Sequence, residues 1–165
     1  MHRVPRVLVA DLESVGRALT AAAAATAVID VEPMVAPWNC TDAQYLTGVD
    51  CVMAMLATAA PAVRCVLLAS NSPRPRPVGA GNLVAAARKP WRTIYLRSAP
   101  RPIAVVGDQP LTDGLLAWRL GGTFIQWQHD DRGPWWPRLQ RLVGQAVVLA
   151  AFRSPGYVAV VDGDD

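Results

Sequence analysis

Four places in the chain put oxygen-bearing or cationic side chains after or ahead of short apolar runs. Asp30 and Glu32 follow the run that starts at Val28, and Ser70 and Asn71 follow Arg64 to Ala69. Gly107, Asp108 and Gln109 follow Ile103 to Val106, with Asp113 close behind. Lys89 stands ahead of that run, in ARKPW, with residues 90–102 between them. It is the only lysine in a chain whose other basic residues are all arginine, and a compact ammonium does what a guanidinium fork cannot. Carboxylates, a hydroxyl and one ammonium together suit phosphoryl transfer through an aspartyl-phosphate. A carboxylate attacks phosphorus, Mg2+ held by oxygen ligands offsets the phosphoryl charge, and the hydroxyl and ammonium hold the equatorial oxygens.

These residues can act together only if the fold brings them to one edge. The apolar runs 28–31, 64–69, 103–106 and 123–127 read as buried strands. Between the first two, Ala43, Leu46, Val49, Val52, Met53 and Leu56 fall on one helical stripe, with Thr41 as N-cap and Pro61 just past the end. Further helices are expected over 8–25, 82–88, 112–120 (stopped by Gly121 and Gly122) and 137–151, and YVAVVD near the end reads as an edge strand. Strand alternating with helix implies an α/β fold, a Rossmann-like three-layer α/β/α sandwich with a mostly parallel sheet, spanning residues 1–165 as one domain. In such sheets ligands bind outside the carboxyl ends of the strands, which is where the polar residues named above fall.

In this setting the motifs resemble those of the haloacid dehalogenase superfamily phosphatases, in particular the small capless branch (subclass IIIA) that includes the YqeG proteins. DVEPMVAPW lies without a gap on a first motif that typically reads DLDNTLVPW, keeping Asp30, Pro37 and Trp38. LLASNS resembles the second motif and RKP the third. GDQPLTDGLLAWRLG resembles the fourth, matching at Gly107, Asp108, Gln109, Thr112, Asp113, Arg119, Leu120 and Gly121. The resemblance implies a phosphatase in which Asp30 is the nucleophile and a Mg2+ ligand, with the backbone carbonyl of Glu32 as another. It implies that Ser70, Asn71 and Lys89 hold the phosphoryl group, that Lys89 takes part in catalysis, and that Asp108 and Asp113 serve the metal. Glu32 would be the acid that protonates the leaving oxygen and then activates water. The interval from Asp30 to Ser70 has room for little beyond one helix, so no large cap domain is expected. An open site fits a bulky phosphorylated substrate, whether small molecule, lipid or protein.

The first motif also departs from the family. Glu32 stands where an aspartate is usual, Pro33 has no N–H to offer a phosphate, and Met34 replaces a threonine. The alternative is therefore a pseudo-phosphatase that binds or regulates without turnover.

The remaining composition narrows the partners. The net charge is +3 and the arginines are dispersed, so nucleic acid is not expected. No apolar run reaches the roughly 20 residues of a membrane span, and a cytoplasmic location is expected. Cys40, Cys51 and Cys65 have neither disulfide nor zinc spacing. Ser72 to Gly81 reads as a surface loop, its GAG as a turn, and His129-Asp130-Asp131 as a polar loop. Trp135 and Trp136, ahead of a helix with Arg138 and Arg141, leave three readings open: packing on the sheet, peripheral membrane contact, or a homodimer surface.

Overall fold

The computed structural model describes residues 3–75, 82–84, 88–128, 135–152 and 156–157. Its frame is a sheet of seven strands: β1 (Arg6–Val9), β2 (Thr26–Asp30), β3 (Cys65–Ala69), β4 (Asn82–Val84), β5 (Ile103–Gly107), β6 (Thr123–Trp127) and β7 (Gly156–Tyr157). They lie in the order β4-β3-β2-β5-β6-β1-β7, and every neighbouring pair is parallel. The helices are α1 (Leu12–Ala21), α2 (Asp42–Ala59), α3 (Leu115–Leu120) and α4 (Trp135–Ala151).

Strand residues alternate between two cores, which is what a sheet covered on both faces requires. Ala27 and Ile29 of β2, Leu68 of β3, Ala104 and Val106 of β5 and Ile125 of β6 pack with α1 and α2 residues on one face. Val28, Leu67, Ala69, Ile103, Val105 and Phe124 face the other way, onto Leu116 and Ala117 of α3 and Ala151 of α4. The result is the three-layer α/β/α arrangement, with the sheet wholly parallel in its described pairs. Between β2 and β3 the chain contains α2 and one short turn, with no inserted domain.

Several boundaries differ from the sequence reading. Residues 8–25 are not one helix: RVLV forms β1, and α1 begins only after Asp11, whose carboxylate accepts the Ser14 N–H and Oγ–H at 2.6 and 2.9 Å. A four-residue apolar run does not itself distinguish strand from helix, and the vacant place between β6 and β7 decides it. Residues 82–84 pair with β3 as a strand where a helix was expected. The helix expected from Thr112 starts at Leu115, because Pro110–Gly114 forms a wider π-type turn.

Helix α2 is capped as expected: Thr41 Oγ1 accepts the Gln44 N–H, and Gln44 Oε1 accepts the Thr41 N–H at 2.9 Å. Its buried stripe is Tyr45, Val49, Val52 and Leu56, so Ala43 and Leu46 lie on the exposed side. On α4, Leu139, Leu142, Val143 and Leu149 are exposed. The side chains of Trp135 and Trp136, the GAG turn and His129-Asp130-Asp131 lie outside the described residues. Among the described residues no helix is long and apolar enough to cross a membrane.

Candidate metal and phosphoryl site

Strand order reverses at β2. The chain runs outward from β2 through β3 to β4, then returns to place β5 on the other side of β2. This is the switch point at which an open parallel sheet leaves a crevice beyond its strand ends. Asp30 is the last residue of β2, and Asp108 is the first residue after β5. The topology therefore sets these two carboxylates side by side.

A wide turn follows each of the two strands. Over Val31–Val35 the Ala36 N–H reaches back to Val31 O at 3.1 Å, and over Pro110–Gly114 the Gly114 N–H reaches Gln109 O at 3.2 Å. Turns of this π type re-aim side chains and recur at functional sites. In the first, Glu32 is extended (φ −104°, ψ 130°), as a residue ahead of proline must be. In the second, Asp113 turns back over β5, and its Oδ2 accepts the Gln109 N–H at 3.2 Å. The Asp113 carboxylate lies only 2.3 Å from where a Cβ on Gly107 would be, so glycine is needed at that strand end.

Lys89 joins the two halves. Its Nζ lies 2.6 Å from Asp30 Oδ1 and 2.7 Å from Asp113 Oδ1. Its backbone N–H donates to Asn71 Oδ1 at 3.1 Å, so the loop after β3 fixes the residue that bridges the carboxylates. Asp30, Asp108 and Asp113 are buried and offer oxygens within 4.8 Å of one another, a grouping able to hold a metal ion. Burial, then Asp113 and Asp108, push the Asp30 carboxyl well above the usual carboxylate range, against the pull of Lys89. Burial works against the Lys89 ammonium, but Asp113 and Asp30 outweigh it and raise its pKa, keeping it charged.

Glu32 belongs to a second, adjoining network. Its carboxylate accepts Ser70 Oγ–H at 2.9 Å and Arg74 Nε–H at 2.7 Å. Ser70 is fully buried, its hydroxyl directed to Glu32 while its Oγ accepts the Ser72 N–H at 3.0 Å. A cleft of about 160 Å3 opens over Asp30, Glu32, Asn71 and Lys89, walled by Trp38, Ser72, Gln109, Thr112 and Gln140.

The fold thus gathers Asp30, Glu32, Asn71, Lys89, Asp108 and Asp113 around one crevice, with Ser70 set behind Glu32. It adds residues that the sequence did not single out for the site, Arg74 foremost. Arg74 lies in the segment expected to be a surface loop, yet its side chain is only 9% exposed because it pairs with Glu32. In sequence it is one of two arginines alternating with prolines in SPRPRP, a pattern that carries no information about a partner at Glu32. No protein-family model, no curated protein and no solved structure matches the chain.

Proposed function

We propose that this chain is a Mg2+-dependent phosphatase of the capless haloacid dehalogenase type, hydrolysing phosphomonoesters by way of a phosphoryl group on Asp30. The observation that carries this reading is the Lys89 ammonium held 2.6 Å from Asp30 and 2.7 Å from Asp113 at the switch point of the sheet, beside Asp108. Three clustered aspartates are hard oxygen donors of the kind Mg2+ takes. Asp30, Asp108 and the backbone carbonyl of Glu32 would hold the ion, with Asp113 orienting them through Lys89 and the Gln109 backbone. The ion supplies neutralisation of charge on the phosphoryl oxygens.

In this reading an Asp30 carboxylate oxygen forms the bond to phosphorus as the bond to the ester oxygen breaks. Glu32 gives its proton to that leaving oxygen. It then takes one from the water that attacks the aspartyl-phosphate, releasing phosphate and restoring Asp30. Lys89 stays protonated and holds the phosphoryl oxygens, and Asn71 keeps its main chain in place. The cleft has room for the phosphoryl end of a substrate, while the remainder of a small molecule, lipid or protein would extend outside it. The exposed apolar residues of α4 are the candidate face for a membrane surface or a second copy.

A second reading rests on Glu32. Both of its carboxylate oxygens are engaged, by the Ser70 hydroxyl at 2.9 Å and the Arg74 guanidinium at 2.7 Å, and neither is directed to a leaving group. That arrangement favours a pseudo-phosphatase that binds a phosphorylated ligand without turning it over. Hydrolysis of a phosphate-ester panel with Mg2+, wild type against Asp30→Asn, decides between them. Turnover lost in the variant supports the enzyme, and no turnover above the variant rejects it. Beryllofluoride trapped without turnover identifies the binding module.

A further inference from the structure

We infer that Arg74 is a positioning residue, which sets the Glu32 carboxylate at the cleft and acts on the reaction only through it; this rests on the phosphatase reading above. Glu32 lines the cleft, whereas Arg74 and Ser70 are not part of its lining. A glutamate side chain has three rotatable bonds and would sample many positions unless something held its end. Here the end is held from two sides, by Ser70 Oγ at 2.9 Å and Arg74 Nε at 2.7 Å.

Arg74 is itself fixed. Pro73 and Pro75 flank it, and a following proline restricts a residue to extended backbone. Its guanidinium donates to Cys40 Sγ at 3.3 Å and to Trp38 O at 3.5 Å, and lies 5.7 Å from the ring centre of Tyr45. Tyr45 is fully buried on α2, and Trp38 and Cys40 belong to the segment leading into that helix. The guanidinium thus ties three pieces of chain to one carboxylate: the turn after β2, the entry to α2, and the loop after β3. The planar fork that makes these contacts has no counterpart in lysine. An acid that must reach a leaving oxygen depends on such fixing, since a displacement of about 1 Å costs on the order of 100-fold in rate.

The test compares kcat, KM and beryllofluoride binding with Mg2+ (by calorimetry) for wild type, Arg74→Lys, Arg74→Met, Glu32→Gln and the double variant. Arg74→Met is expected to lower kcat about 100-fold while KM and beryllofluoride affinity stay within about twofold. Arg74→Lys keeps a cation beside Glu32, so it should fold where Arg74→Met fails, and it should recover part of kcat. In the Glu32→Gln background, Arg74→Met should cost nothing further, because its only route to the reaction is gone. Wild-type kcat in both Arg74 variants, an additive loss in the double variant, or a parallel loss of beryllofluoride affinity would each overturn the inference. Wild-type protein that binds beryllofluoride without turnover overturns it while leaving a phosphoryl site in place. Wild-type protein that does neither removes the phosphatase reading itself, and the inference with it.

Discussion

Gly48 offers a test in which two well-known effects have opposite signs. It lies in the middle of α2, where alanine is favoured over glycine by about 0.8–1.0 kcal/mol in an isolated helix. The helix, however, packs on the turn after β2. A Cβ on Gly48 would lie 1.9 Å from the carbonyl oxygen of Val35 and 3.0 Å from its carbonyl carbon. Ordinary contact begins near 3.4 Å, so helix and turn must part by about 1.5 Å. The obstructing atoms are backbone and have no rotamer by which to escape. Overpacking of this kind costs about 1–3 kcal/mol, and a backbone obstacle belongs at the top of that range. Subtracting the helix gain leaves Gly48→Ala about 2 kcal/mol less stable than wild type, or roughly 4–8 °C in melting temperature for a chain of this size. Urea unfolding with a common m-value measures it. Because the same turn carries Glu32, the proposed function adds that turnover should fall on the order of 100-fold. A Gly48→Ala protein as stable as wild type, or more stable, would refute the packing argument and leave helix propensity in control.

Three further outcomes follow from the site and its frame. Lys89→Met removes the ammonium shared by two buried carboxylates and should cost about 3–5 kcal/mol in a chelator; under the proposed function the cost should be less in millimolar Mg2+, which would bind the folded aspartate cluster, and an equal loss in both conditions would refute the shared site. Asp30 holds its proton more tightly folded than unfolded, so its contribution to stability is full below pH 3.8 and is lost as the pH rises through the raised folded value. In chelator, the urea midpoint of Asp30→Asn should therefore pull ahead of wild type as the pH increases, and a narrowing gap would contradict the electrostatics. Asp11 is held below its usual range chiefly by the Ser14 N–H, so its cap is in force above pH 3.8 and fails as the pH falls through the lowered folded value. Asp11→Ala should cost about 1 kcal/mol at neutral pH in thermal unfolding, and that cost should vanish in acid.

The central strands and their acidic ends were legible because burial on both faces writes itself as an apolar run, and a run that stops at Asp30 or Gly107-Asp108 marks a strand end. Helix α2 was legible in its cap and less so in its face. Small residues such as Ala43 say little about which side is inward, and Tyr45, outside the expected stripe, proved fully buried. Strands β1 and β4 were not legible. Each is four residues or fewer and takes its conformation from hydrogen bonds to a neighbour distant in sequence, Phe124 to Trp127 for β1 and Leu67 to Ala69 for β4.

The same division runs through the site. Local chemistry, legible residue by residue, determined which groups stand at or beyond strand ends: Asp30, Asp108, Asp113 in the turn after β5, and a lone lysine ahead of β5. Their company was a matter of tertiary structure. Strand order alone sets β5 beside β2, and only then does Lys89 lie between Asp30 and Asp113. Arg74 is the clearest case. In sequence it is one arginine among prolines, with nothing to distinguish it from a solvated one. Burial of the Glu32 carboxylate requires a nearby cation, and the folded loop supplies Arg74 from 42 positions along the chain. Charge pairing in a buried site depends on distance in space, which a linear pattern does not contain.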